Sequence, residues 1–169
     1  MNNLMLTCHE IFAFMAAPLA HEILDDLFTS DKAAYRIALN AIAEARKVRP
    51  VFLERKPRTQ RHAFMVAILG TARMEEVAGN LLRAWLLKAQ SAMVIEFLDL
   101  LGIAHQAGVV EVLPATVEDA KLQSAIEGLL AKYPHPKVAV YLHAFDATND
   151  VHWPNLAALL REDKRLQPG

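Results

Sequence analysis

Two groups of side chains in this sequence have types and spacings that can do chemistry. The run HAFDATNDVH carries His143, Asp146, Asn149, Asp150 and His152. His143 and Asp146 stand three apart in a stretch that reads as helix, so both can project from one face. Asp150 and His152 follow in the connection after it. Two imidazoles and two carboxylates suffice for a divalent metal with an open coordination position, or for acid–base work. His143, Asp146, Asp150 and His152 are therefore candidate metal ligands, and a metal-dependent hydrolase is one reading of the chain. The plainer account is that Asp146, Asn149 and Asp150 end a helix and shape a turn, with His143 half-buried on that helix. The ligand spacing follows no established metal-site pattern.

The second group is cationic. Between Arg46 and His62 lie Arg46, Lys47, Arg49, Arg55, Lys56, Arg58 and Arg61, with Glu54 the only acid. This segment carries +6 in a chain whose net charge is −1, so the remainder sums to −7. Folding does not require such segregation, and it implies a positive patch on an otherwise acidic molecule. Lys56, Arg58 and Arg61 fall where a helix is expected to begin, and there the dipole and the free N–H groups already present positive potential. Cations in that place favour a bound anion or a packed acid. The sequence thus points to a site for a phosphate-bearing ligand, nucleic acid or an acidic protein segment. The alternative is compensation inside the fold by Asp25, Asp26, Glu75 or Glu76. Against nucleic acid stand the pI of about 6.7 and the absence of interleaved surface aromatics, because Phe52 and Phe64 read as core anchors.

Other chemistries are excluded by what the chain lacks. Its six glycines, at 70, 79, 102, 108, 128 and 169, assemble neither a phosphate loop nor a dinucleotide fingerprint. Ser30, Ser91 and Ser124 sit in no nucleophile elbow. There is no Glu-x-x-His pair and no two histidines lie four apart, which disfavours di-iron bundles and helical zinc proteases. Cys8–His9 and His21–Glu22 are adjacent pairs whose side chains diverge by about 100° on a helix, so neither forms a local site. The reading is accordingly of a binding protein with no cofactor, leaning away from an enzyme.

The elements that must position these groups are helices. Alanine and leucine supply 28 and 24 of the 169 residues, and both favour helix. Apolar spacing and breakers predict a first element over 8–28, kinked or divided at Pro18, then a helix over 32–48 capped by Ser30 or Asp31. A short turn over 51–55 is expected, followed by helices over 57–69, 72–90 and 91–101, ending at Gly70 and Gly102. Residues 102–115 read as a connection, with an extended piece at Val110–Leu113. Thr116 is expected to open a helix to Tyr133; further helices follow over 137–147 and from Pro154, and then a polar tail.

The expected fold is all-α: seven to nine helices in a compact bundle or a short superhelical stack of antiparallel hairpins. One domain over 1–169 is the main expectation, with a division into 1–49 and 50–169 as the alternative. The stretches LLKAQSAMVIEFLDLL and LLAKYPHPKVAVYLHAF lie about 44 residues apart and share an outline, which is the feature favouring a stack.

The N-terminal run MNNLMLTCHEIFAFMAAPLAHE is apolar but lacks a positive start and is interrupted by His9 and Glu10. It reads as a buried first helix, not a signal or anchor. No apolar stretch approaches the roughly 18 residues of a membrane helix. A single cysteine, Cys8, rules out internal disulfides and suits a reducing cytoplasm. The first helix is apolar on more than one face, so it is either central or the seat of a homodimer.

Overall fold

Proline, glycine and side-chain caps divide the chain into ten α-helices in a computed structural model that describes residues 5–169. Residues 1–4, the start of the apolar N-terminal run, lie outside the described residues. Helix α1 (Cys8–Phe14) and α2 (Ala17–Ser30) are separate, with Pro18 in the first turn of α2, where a missing N–H costs nothing. Asp31 alone links α2 to α3 (Lys32–Ala45), and its carboxylate accepts from the Ala34 amide at 3.2 Å. Pro50 opens the short α4 (Pro50–Glu54), and Pro57 precedes α5 (Arg58–Leu69). A single 3-10 turn leads into α6 (Glu75–Lys88), and α7 (Ser91–Leu100) follows directly. Beyond a loop come α8 (Asp119–Lys132), α9 (His135–Thr148) and α10 (Pro154–Glu162).

No strand occurs among the described residues; the loop holds only an isolated bridge between Gln106 and Val109. Helix α8 begins three residues later than Thr116 suggests. Trp153 donates to the Pro114 carbonyl at 2.9 Å and Asn155 to that of Val117 at 2.7 Å. Both ties hold residues 114–117 against the start of α10, and α8 begins beyond them.

The bundle closes around α9, not around the first helix. Val138 to Ala144 are buried without interruption on α9, and a helix buried all round lies at the centre. Helices α1, α6, α8 and α10 pack on it, together with the 3-10 turn Lys164–Leu166. Helix α1 buries Cys8, Ile11 and Phe12 but leaves Phe14 55% exposed. The expected polar tail instead returns to the core, with Leu166 fully buried.

Contacts of α1 with α5, α6 and α9 make this a compact bundle. The two segments that resemble each other share a helix–break–helix outline, but α7 exposes Leu100 whereas α9 has no free face along Val138–Ala144. No helix among the described residues is long and apolar enough to cross a membrane.

Candidate functional site

The basic segment spans the end of α3, all of α4 and the first turn of α5. After Ala45 the chain reverses through Lys47, whose φ of 56° is left-handed, a conformation a lysine adopts at a cost of about 1 kcal/mol. The Val48 amide then donates to the Ala43 carbonyl at 2.9 Å, closing the helix end. Leu53 anchors α4 in the core, while Val51 and Phe52 are 43% and 51% exposed. Successive helical side chains diverge by about 100°, so with Leu53 pointing inward Phe52 is turned to the surface. Phe52 is therefore not the core anchor expected, and Phe64 is only half-buried.

The cations lie over rings. Lys56 Nζ stands 4.9 Å from the Phe52 ring centre, and the Arg58 guanidinium carbon 4.3 Å from that of Phe28. Arg46 and Lys56 approach the Phe64 ring at 6.0 and 5.9 Å, distances at which the aromatic quadrupole attracts a cation. Arg61 donates to the Tyr35 hydroxyl at 3.1 Å and the Lys56 carbonyl at 3.4 Å, while its buried Nε has no partner among the described residues.

Of the candidate counter-charges, Asp25, Asp26 and Glu75 are engaged elsewhere, as is Glu54. Glu54 pairs with Arg36 on α3. Asp25 faces His62 Nδ1 at 3.2 Å, and Asp26 accepts from Trp85 Nε1 at 3.0 Å. Glu75 accepts the amides of Cys8 and His9, each at 2.9 Å, and contacts the His9 ring at 2.6 Å. Among the described residues, no carboxylate lies within 4.0 Å of Arg46, Lys47, Arg49, Arg55, Lys56, Arg58 or Arg61.

Beneath the patch is a polar cluster built on His62. His62, fully buried, has Nε2 2.8 Å from the Tyr35 hydroxyl and its ring 6.3 Å from that of His21. Burial pushes its pKa down to about 4; Asp25 opposes this, and Arg61, His21 and Arg58 reinforce it. Asp25, Tyr35 and His62 come from three different helices, so no local spacing signals them.

The HAFDATNDVH run does not converge on one point. His143 is buried on α9, and its Nε2 is bonded to the Leu166 carbonyl at 2.8 Å. Burial lowers its pKa, while that carbonyl and Asp146 work against the shift. Asp146 is buried as well, with His152 Nδ1 3.8 Å away, and burial raises its pKa against the pull of His152 and His143. Asp150 and His152 are exposed beyond the helix end. The metal-ligand expectation for His143, Asp146, Asp150 and His152 is not met by this arrangement: no group of three or more His, Cys, Asp or Glu suited to a metal occurs among the described residues.

No protein-family model matches the chain, and comparisons with curated proteins and with solved structures find no match.

Proposed function

We propose that this chain is a non-enzymatic binding protein whose contact surface is the cationic face from Arg46 to Arg61, and that it takes an acidic protein segment. The supporting observation is that these seven cations have no carboxylate within 4.0 Å among the described residues. Clustered like charges repel, and this field is relieved when an anion docks. Val51 and Phe52, exposed between the cations, add an apolar contact of the kind that anchors a peptide. A cytoplasmic setting belongs to this reading. So does pairing of two chains through the exposed Phe14 on α1, with sedimentation as its check.

Nucleic acid is the second reading, and the exposure of Phe52 favours it. An aromatic at the surface beside Lys56 offers a stacking platform next to phosphate-binding charge. Fluorescence anisotropy separates the two. Labelled glutamate-rich peptides with one central aromatic, and single- and double-stranded DNA and RNA, are titrated at low and near-physiological salt. Tighter binding of the peptide, lost in Arg55→Glu/Arg58→Glu, supports the proposal. Preference for single strands with a steep salt slope moves nucleic acid first. No binding of either at low salt overturns both.

A further inference from the structure

The cationic face and the buried His62 ring meet at one atom, the Tyr35 hydroxyl oxygen. It is hydrogen-bonded to Arg61 at 3.1 Å and to His62 Nε2 at 2.8 Å. Above it a pocket of about 270 Å³ opens, lined by Phe28, Lys32, Tyr35, Arg36, Glu54 and Arg61. Glu54 is paired with Arg36, so Lys32 and Arg61 set the sign of the pocket. An anion held there by Arg61 stands two hydrogen bonds from the imidazole.

The groups that act on His62 come from three helices. From α2, Asp25 Oδ1 faces Nδ1 at 3.2 Å, and the His21 ring lies 6.3 Å away, centre to centre. From α3 comes the Tyr35 hydroxyl, and from α5 itself come Arg58 and Arg61. Helices α1 and α6 also pack on α5 but place no hydrogen bond or ion pair on this ring among the described residues. Asp25 favours the imidazolium. Burial opposes it most, then Arg61, His21 and Arg58, and the ring is neutral at pH 7 with a pKa of about 4.

These opposing influences are not equally fixed. Burial is set by the core, since His62 is fully enclosed. The guanidinium charges are not, because Arg58 is exposed and Arg61 half-buried. A docked anion cancels a like charge that disfavours the imidazolium. Nδ1 makes no hydrogen bond among the described residues, and the Asp25 carboxylate already stands beside it to balance a positive ring.

We infer that docking of an anionic segment over Arg58 and Arg61 is coupled to the uptake of one proton from solvent by His62, so that the surface holds its partner more tightly as the pH falls. The inference rests on the cationic face being the contact surface. The coupling is reciprocal: the anion strengthens the ring's hold on its proton, and the charged ring strengthens the hold on the anion.

The test uses a cysteate-rich peptide with one central aromatic, whose sulfonates stay ionised throughout. NMR follows the His62 ring from pH 8 to 4 with and without saturating peptide, and fluorescence anisotropy gives Kd at pH 7 and 4.5. The peptide is expected to raise the His62 midpoint by about one pH unit. His62→Gln is expected to bind like the wild type at pH 7, and the wild type to tighten about threefold more than this variant at pH 4.5. Arg61→Gln is expected to raise the midpoint without peptide. A His62 midpoint that saturating peptide leaves unmoved overturns the coupling and leaves the docking surface standing, as does equal tightening in wild type and His62→Gln. Failure of the peptide to bind at pH 7 and low salt overturns the surface itself, and the coupling with it.

Discussion

The Tyr35 hydroxyl on α3 lies between two groups of α5: it accepts from Arg61 at 3.1 Å and is hydrogen-bonded to His62 Nε2 at 2.8 Å. The arginine can only donate, so the hydroxyl accepts on that side, and on the other it is bonded to a ring whose Nδ1 faces Asp25. One hydroxyl thereby couples the surface cation Arg61 to a buried, uncharged ring.

That ring makes the fold sensitive to acid. His62 titrates at about 4 in the folded chain against 6.5 ordinarily, with burial the main cause. Below about pH 6.5 the unfolded chain takes up this proton and the folded chain does not until about pH 4, so stability falls over that window, by at most about 1.4 kcal/mol per pH unit. Urea midpoints at pH 7, 5.5 and 4.5 are expected to fall more steeply for the wild type than for His62→Gln. Equal slopes would show that the ring takes no part.

Asp146 works in the opposite sense. Its carboxyl is buried, Oδ1 lacks a hydrogen-bond partner, and burial holds its pKa above the ordinary aspartate range despite His152 and His143. A folded pKa above the unfolded one means that the protonated form favours the fold at low pH, and the benefit is lost as pH rises through the folded value. At pH 7 Asp146→Asn is expected to match or exceed wild-type stability by up to about 1 kcal/mol. A drop in melting temperature would show that the carboxylate serves as an acceptor.

Glu75 caps α1 from the start of α6, 66 and 67 residues away in sequence. Burial alone would raise its pKa, but the His9 amide, the His9 ring and the Cys8 amide outweigh it and hold the carboxyl below the usual glutamate range. Its contribution is present above that range and fades on acidification through the lowered value. Glu75→Ala is expected to cost about 1–2 kcal/mol, a fall of several degrees in Tm by calorimetry.

Cys8 is 3% exposed, and its thiol is pushed up to about 12 by burial, with Glu75 adding to the shift. Alkylation needs the thiolate and access to it. Iodoacetamide at pH 8 is expected to leave the native chain unmodified over hours and to label it within minutes in urea. Labelling of the Glu75→Ala variant at an intermediate rate would tie the protection to the cap.

The sequence carries the helices well because breakers are local. Pro18, Pro50, Pro57, Gly70 and Gly102 each stand within two residues of a helix end. Burial is less legible where two elements compete for one face. The apolar run at Ile11–Met15 suggests a central helix, yet Phe14 is exposed, because α9 occupies the centre. Phe52 and Leu53 are both apolar, and which of them faces inward depends on how the five-residue α4 meets α3. The cationic segment is visible as charge. The Tyr35–His62 cluster is not, since Asp25, Tyr35 and His62 come from three separate helices. His143 and Asp146 share a helix as expected, but the tail that binds His143 through Leu166 has no signature in its composition.

The position of α1 also bears on the order in which the molecule assembles. Helices α2 and α3 meet through Asp31 alone, a connection that closes in tens of nanoseconds. Helix α1 is seven residues long and rests on α5, α6 and α9, too short to persist by itself. Although it is made before the other described helices, its seat is incomplete until α5, Glu75 and then α9 have been made. The first of the described helices is thus among the last to be secured, and until then Ile11 and Phe12 are surfaces a chaperone can hold.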